Sequence, residues 1–472
     1  MRLIKKIDIL IIFLTIILST LSGLVVSWLS LVLTPNQLYL LPLCVYSIIP
    51  ITIAYSKIYR IFSQARWWHV IWILYFISGL SFSARSTESI LRSPLDLSVS
   101  YRVVLIGIVV GALFWWNIKN KNYKKSLLLF SNPIGWVTTY ALVCTLSTIW
   151  SVYPAWTLYR SIEYFTGIVL IVSIINVAQS LKNIKSFFDW TWAIYFLVLV
   201  LIWVGVVVWP DRALIYNLGS VGIQIQGVVP VISTNSVGEF GAIIGVVSFT
   251  RLLLFTKGKS RFFYIIVFII ALVTLIFSQS RSPLLGFLLG LVLVLLISKK
   301  IGLFTFLGLT ILILISFTSL GSLFYTFFMR NQSLELFSKL SGRTDYWEFA
   351  LPYILNRPLN GYGAYAGGRF VVAVEFSDTL SSTHGTWPEV LMGTGIFGLL
   401  PLIMAVLVVW LILITCKTPK YDLLGEQIRL ESIGVLAVMS VRSIFTVSFI
   451  WHPATLWLLV VGASAFLYRY RH

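Results

Sequence analysis

Long apolar stretches that carry almost no charge follow one another along most of this 472-residue chain. About fourteen of them are roughly 15–25 residues long, which is the length of an α-helix that crosses a lipid bilayer. Because 58% of the residues are hydrophobic and only 11% are charged, a soluble domain could not bury so much apolar surface. Continuous apolar runs also favour helices over the alternating strands of a membrane barrel. The sequence therefore predicts an all-α polytopic membrane protein with about 12–14 transmembrane helices.

The predicted spans divide the chain into four segments. The spans lie near residues 8–33, 38–56, 67–83, 103–117, 133–150, 157–177, 188–209, 235–255, 262–279, 283–298, 301–320, 385–415, 431–450 and 453–468. We expect N-terminal transmembrane helices over 1–132, central transmembrane helices over 133–320, an extracytoplasmic loop with the candidate catalytic residues over 321–384, and C-terminal transmembrane helices over 385–472. The basic N-terminus resembles that of a signal peptide, but because no small-residue cleavage site follows, we expect a first span there.

Lysine and arginine collect in alternate connections between the predicted spans. These basic clusters are Lys57–Arg66, Lys119–Lys125, Lys182–Lys185, Lys257–Arg261, Lys299–Lys300, Lys417–Arg429 and Arg469–Arg471. The positive-inside rule places such connections, and both chain termini with them, in the cytoplasm. The net charge of +19 is thus mainly a signal of topology. It does not indicate nucleic-acid binding, because the basic residues flank spans instead of forming a patch with exposed aromatic side chains.

The opposite face is predicted to collect arginine almost exclusively. Its basic residues are Arg85, Arg92, Arg102, Arg160, Arg212, Arg281, Arg330, Lys339, Arg343, Arg357 and Arg369. Arginine binds phosphate bidentately, and the positive-inside rule gives no reason to find it outside. This pattern predicts an outward-facing phosphate or pyrophosphate site. For any single arginine the alternative is that it extends to the membrane surface or pairs with a neighbouring carboxylate.

The loop over 321–384 is about sixty residues long, well above the usual connection length, and such loops are commonly functional. Residues 341–355 read as a turn followed by an amphipathic helix along the membrane surface, capped by Thr344, with Trp347 and Phe349 facing inward. Arg343 then lies just before a helix N-terminus, where the guanidinium and the helix dipole could both face an anion.

A glycine-rich stretch with interleaved tyrosines, residues 356–368, follows this helix and leads to Arg369. Such a segment can turn sharply and offer the ring of Tyr362 to a sugar, but it can equally be an ordinary flexible turn. It does not match a phosphate-binding loop, because it lacks the Gly-Lys-Ser/Thr ending and opens no obvious helix.

His384 stands at the start of the next predicted helix. A histidine there can accept a proton from a hydroxyl near neutral pH, and Glu389, about one turn further on, could orient it. The alternative is an ordinary surface histidine.

Neither redox chemistry nor metal binding is expected. Cys44 and Cys144 lie in apolar segments and Cys416 at a predicted cytoplasmic helix end, so no pair of extracytoplasmic thiols is available. The sequence has no Asp-x-Asp element and no outward cluster of carboxylates with metal-ligand spacing, and we expect no cofactor.

Six short motifs, taken in order, resemble the O-antigen ligase and polysaccharide polymerase superfamily of bacterial envelopes. They are Trp150–Pro154 with Arg160, Asn235 within Ser233–Gly238, Ser280–Ser282, Arg343 with Trp347, Arg357–Gly363, and His384 with Gly395–Gly398. The resemblance covers roughly residues 140–415. One departure is Gly385, since asparagine often follows the family's histidine. The number of predicted spans also exceeds the family's usual value of about twelve.

The resemblance implies a polytopic glycosyltransferase of the GT-C type in the bacterial inner membrane. Such an enzyme takes an undecaprenyl-pyrophosphate-linked glycan at the outer leaflet and transfers it to a sugar acceptor, either a lipid A core or the end of another glycan chain. Because the donor already carries an activated leaving group, the protein has to neutralise the pyrophosphate and to deprotonate the acceptor hydroxyl. Direct displacement without a covalent intermediate would invert the anomeric centre, and no metal is expected.

The candidate residues divide into two roles. Arg281 and Arg343 are expected to bind the pyrophosphate, and His384 is expected to be the general base. The further substrate-binding candidates are Arg160, Glu389, Trp347, Tyr362 and Arg369. Arg442, in the middle of a predicted span, either lines a cavity or belongs to a structural ion pair.

Two other classes of protein stay open. A flippase for lipid-linked glycans would also bind pyrophosphate, but it should line its path with charge through several spans, and these spans are nearly free of charge. A non-catalytic envelope assembly protein would have no need for an arginine-selective outer face.

Overall fold

The computed structural model describes residues 66–82, 97–119, 128–216, 222–254, 258–317, 320–329, 332–340, 342–372, 382–416, 422–451 and 453–471. The predicted spans near 8–33 and 38–56 lie outside these residues, as do Cys44, Arg85, Arg92 and Arg330.

The described residues form sixteen α-helices. The first nine are α1 (Trp67–Ile77), α2 (Leu97–Lys119), α3 (Ile134–Leu146), α4 (Pro154–Val177), α5 (Leu181–Val208), α6 (Pro210–Ala213), α7 (Thr234–Leu254), α8 (Lys259–Phe277) and α9 (Arg281–Ile297). The others are α10 (Ile301–Phe317), α11 (Leu320–Met329), α12 (Leu334–Ser338), α13 (Arg343–Asn356), α14 (Thr386–Thr415), α15 (Leu423–Phe445) and α16 (Thr455–Arg471). A 3₁₀ turn (Ser147–Trp150) follows α3, and a π-helical turn (Gly368–Val372) precedes α14.

Six of the described helices, α2, α4, α5, α7, α8 and α14, are long and apolar enough to cross a membrane. Their outward surfaces are apolar too: Phe114 on α2 is 69% exposed, and Leu400, Leu407 and Leu411 form an exposed stripe on α14. Water-soluble proteins rarely expose apolar stripes of this kind, whereas lipid-facing helices require them. The predicted all-α polytopic membrane fold is confirmed. The span predicted near 67–83 holds the shorter helix α1, which has eleven residues.

A small antiparallel hairpin between α6 and α7 was not predicted. Strand β1 (Leu214–Tyr216) pairs with β2 (Ile223–Ile225). The Gln224 side chain donates to the Ser278 carbonyl at 2.8 Å, which fixes the hairpin to the end of α8. The strands are only three residues long, too short to show the alternation by which a strand is recognised in a sequence.

Helix α14 is broken at Gly395, where φ is 59° and ψ is −155°. Side-chain-bearing residues rarely adopt this conformation. The break frees backbone groups that must be satisfied inside a membrane protein. The glycine-rich stretch satisfies them: the N–H groups of Tyr362 and Gly363 donate to the carbonyls of Met392 and Gly393, both at 2.8 Å. The stretch is therefore packed backbone to backbone against α14 and is not a loose turn.

A buried ionic network joins α5, α7 and α15 at the end of the bundle away from His384. Arg251 donates to Glu431 at 2.7 Å and to Asp189 at 2.7 Å, and Trp192 donates to Glu431 at 2.7 Å. Charges inside a membrane protein are retained only where partners of this kind satisfy them.

Candidate active site

His384 lies where α13, the start of α14 and the end of α15 meet, and its backbone is held in a strained conformation. Its φ is +50°, a left-handed value that is uncommon for a residue with a side chain. Thr383, the preceding residue, is held by hydrogen bonds to two side chains. Glu389 accepts from the backbone N–H of Thr383 at 2.9 Å and from its hydroxyl at 2.8 Å, while the Trp347 indole donates to the Thr383 carbonyl at 3.0 Å. Glu389 and Trp347 thus position the histidine through its neighbour.

Arg343 is the first residue of α13, close to His384. The N-cap is Gly342, with φ 83°, so the prediction that Thr344 caps this helix is wrong by two residues. Glycine is favoured at this cap because it adopts a positive φ at little cost. The guanidinium of Arg343 donates to the Leu340 carbonyl at 3.1 Å and lies 5.7 Å from the ring centre of Phe445.

The surroundings of the His384 imidazole change its pKa. Burial, and to a lesser degree the positive charge of Arg343, lowers the pKa of His384 below its ordinary value of about 6.5. At neutral pH the ring is therefore uncharged and keeps a nitrogen lone pair that can accept a proton. The ring of Tyr346 lies edge-on to it, with 6.5 Å between ring centroids.

Arg281, the first residue of α9, reaches into the region of α11 and α12. Its guanidinium donates to the Gln332 side chain at 2.7 Å and to the Met329 carbonyl at 3.2 Å, and it lies 5.2 Å from the ring centre of Phe337. It is close enough to Arg343 for the two positive charges to repel each other. Among the described residues no carboxylate forms a salt bridge with Arg343. Two neighbouring guanidinium groups in a half-buried place form a favourable site for an anion.

A polar cavity of about 410 Å³ opens beside His384. Asn235 and Glu239 of α7 line it, as does Arg442 of α15. Arg442 and Glu239 form a direct ion pair. Arg442 therefore fits both of its predicted alternatives, because it lines a cavity and belongs to an ion pair.

Sequence reasoning missed Glu239, although a lone carboxylate within a predicted span is itself a signal of function. It also missed the contact between two of the quoted motifs: the Ser280 hydroxyl donates to the Asn235 side chain at 2.7 Å. Arg281, the next residue along the chain, is thereby placed near the cavity wall.

Arg160 and Arg369 form a second cluster next to the cavity. Arg160 pairs with Glu163 at 2.6 Å, and the guanidinium groups of Arg160 and Arg369 lie 5.1 Å and 4.8 Å from the ring of Trp156. Trp451 lies 5.5 Å from Arg160 and also lines the cavity. The space inside the cluster is only about 10 Å³, so the side chains are packed against one another. A role of Arg160 and Arg369 in substrate binding stays a prediction.

Tyr362 is packed among the side chains of α13 and α14. Its hydroxyl donates to the Tyr353 carbonyl at 3.2 Å, and the Arg357 guanidinium lies 4.8 Å from its ring centre. It does not line the cavity, and sugar stacking on this ring stays a prediction.

In the part of the chain that the structure describes, no three His, Cys, Asp or Glu side chains lie together as a metal site requires. Metal independence stays a prediction.

The Glu389 contacts lead to a first testable prediction. Glu389→Ala leaves the buried Thr383 N–H without its acceptor, so the histidine loop should shift and kcat should fall about tenfold, since small displacements of catalytic groups are costly. Glu389→Gln keeps an acceptor oxygen and should restore most of the rate. Steady-state kinetics of transfer would check this, and equal losses in the two variants would contradict a positioning role.

One family model matches the part of the chain that contains these residues. Residues 266–403 match the family model described as O-antigen ligase. The matched region includes Arg281, Arg343 and His384, whereas Arg160 lies outside it. A search of curated proteins finds no significant match. This segment is therefore similar to the O-antigen ligase family, which confirms the resemblance to the O-antigen ligase and polysaccharide polymerase superfamily.

Proposed function

We propose that this protein is a metal-independent glycosyltransferase that moves an undecaprenyl-pyrophosphate-linked oligo- or polysaccharide onto a sugar acceptor at the outer leaflet of the bacterial inner membrane. The match to the O-antigen ligase family supports the coarser role in polysaccharide assembly. One observation carries the finer proposal: the guanidinium groups of Arg281 and Arg343 are neighbours, and Arg343 also lies close to an uncharged histidine with a lowered pKa.

The reaction follows from that juxtaposition. The oxygen of the acceptor hydroxyl attacks the anomeric carbon of the donor sugar, and its proton passes to a ring nitrogen of His384. The bond from the anomeric carbon to the pyrophosphate oxygen breaks, and its electron pair stays on the pyrophosphate. Arg281 and Arg343 stabilise the charge that develops there. Attack opposite the leaving group inverts the anomeric centre.

The direct test is turnover by purified protein in liposomes. A lipid-linked oligosaccharide and an acceptor glycan are supplied in the presence of a chelator, and the expected products are a lengthened acceptor and free undecaprenyl pyrophosphate. Movement of the lipid-linked glycan across the bilayer without transfer would instead indicate a flippase. In cells, a deletion strain distinguishes the two acceptors. Lipid A core without glycan indicates a ligase, and core carrying single repeats indicates a polymerase.

The lowered pKa of His384 predicts the pH dependence. Because a base must be unprotonated, kcat/KM should be constant at neutral pH and fall only below about pH 6.5, as the imidazole becomes protonated. Arg343→Gln removes a positive charge that lowers the His384 pKa, so the acid limb of the residual activity should move to higher pH. The matched control is Lys339→Gln, which removes an exposed charge of the same loop paired with Glu335 and Asp345. A limb that shifts equally in both variants would contradict the proposed coupling.

A further inference from the structure

The wall of the cavity beside His384 contains a buried ion pair. Arg442 is only 4% exposed, and its Nε atom is buried without a hydrogen-bond partner. The rest of the guanidinium pairs with Glu239. Buried N–H groups almost always have a partner, and a buried ion pair seldom stabilises a protein more than apolar residues would. A buried ion pair that lines a cavity is therefore better explained by ligand binding than by stability.

The wall carries no net charge. Glu239 and Arg442 neutralise each other, and the histidine of the lining, His384, is uncharged at neutral pH. The remaining polar wall includes the Asn235 amide and several serine hydroxyls. A wall that offers both donors and acceptors suits the hydroxyl groups of a sugar, whereas an anionic sugar would meet the Glu239 carboxylate.

An aromatic face completes the wall. Trp451 is 39% exposed and lines the cavity. An indole has a broad apolar face that can pack against the C–H face of a sugar ring. The volume of about 410 Å³ lies within the range of small-ligand sites.

His384 belongs both to this cavity and to the surroundings of Arg343, whereas neither Arg281 nor Arg343 lines the cavity. A general base must lie within hydrogen-bond reach of the acceptor hydroxyl. We infer that this cavity holds the acceptor and that its terminal sugar is an uncharged, hydroxyl-rich residue, not a phosphorylated sugar or a uronic acid. The inference rests on the proposed function and adds the class of its acceptor.

The class of the acceptor is tested by measuring the binding of sugars in the absence of the lipid-linked donor. The purified protein is mixed with methyl glucoside, methyl galactoside, methyl glucuronide or glucose 6-phosphate, and contact is measured by saturation-transfer NMR. Wild-type protein should saturate the two neutral glycosides and give at most a tenth of that signal with the charged sugars. Glu239→Gln leaves the Arg442 charge without its counter-ion, so the preference should shift toward methyl glucuronide.

Two further variants distinguish a loss of sugar binding from a loss of folding. Ser236→Trp fills the cavity without changing any charge and should abolish the signal from all four sugars. Glu426→Gln is the matched control, because Glu426 pairs with Arg429 at the other end of α15 and should bind like the wild type. Equal binding of charged and neutral sugars by the wild type, or unchanged binding by Ser236→Trp, would overturn the inference.

The donor assay separates this inference from the proposed function. Turnover of the lipid-linked donor by a protein that does not bind neutral glycosides would overturn the acceptor class and leave the transferase standing. Binding of neutral glycosides without turnover would overturn the proposed function and the acceptor assignment with it.

Discussion

Replacing His384 by alanine should lower the rate of glycan transfer about 100- to 10,000-fold, the range typical for loss of a general base. The half-buried imidazole has a lowered pKa, lines the cavity and lies close to Arg343, so it is well placed to take the acceptor proton. Donor binding should change little, because Arg281 and Arg343 remain.

The rate is measured by product analysis, and the affinity for the lipid-linked donor is measured separately by equilibrium binding. His69→Ala is the matched control: it removes a buried imidazole of α1 that lies 3.3 Å from the Ser186 hydroxyl, and transfer by its folded fraction should be normal. If His384→Ala lost donor binding or failed to fold, the histidine would be structural. Transfer near the wild-type rate would remove its role as base.

The helices could be predicted because hydropathy depends on local sequence. The span predicted near 157–177 is the helix Pro154–Val177, and the span near 262–279 is Lys259–Phe277. In both cases the helix begins three residues before the predicted span. A hydropathy pattern marks only the apolar part of a helix, and the first turn often contains residues that do not belong to that part. Pro154 is one of them, because proline is favoured at the first helical position.

The location of the site could be predicted in part. Arg281 and His384 adjoin predicted spans and Arg343 lies in the long loop between two of them, so alternation of the spans predicts all three on one face. The same reasoning grouped Arg160 with them. The structure pairs Arg160 with Glu163, one turn further along the same helix, and a role of Arg160 in substrate binding stays a prediction.

The contacts that position the site residues could not be predicted, because they depend on tertiary packing. Glu389 reaches back to Thr383 only because α14 begins where the histidine loop turns. Glu239 and Arg442 are some two hundred residues apart, and only the packing of α7 against α15 joins them. Hydropathy reports which residues enter the membrane, and it carries no information about which helices become neighbours.

Arg343→Lys should lower kcat about 100-fold although the positive charge is kept, since loss of a single preorganised donor in a transition state commonly has an effect of this size. The planar guanidinium offers two parallel N–H groups to a phosphate, whereas an ammonium is a compact point charge. The side chain also extends across the Phe445 ring, a contact that favours a flat group. The donor KM should rise less than kcat falls, because charge on the leaving group grows during the reaction.

The measurement is steady-state kinetics with the lipid-linked donor varied at a fixed acceptor concentration. Arg212→Lys is the matched control, because Arg212 is an exposed arginine of α6 for which no contact with the site is described, and its rate should stay within about twofold of wild type. Because Arg281 and Arg343 would hold one pyrophosphate, Arg281→Lys combined with Arg343→Lys should cost less than the product of the single effects. Full activity of Arg343→Lys, or strictly multiplicative losses, would mean that the two guanidinium groups do not share a single anion.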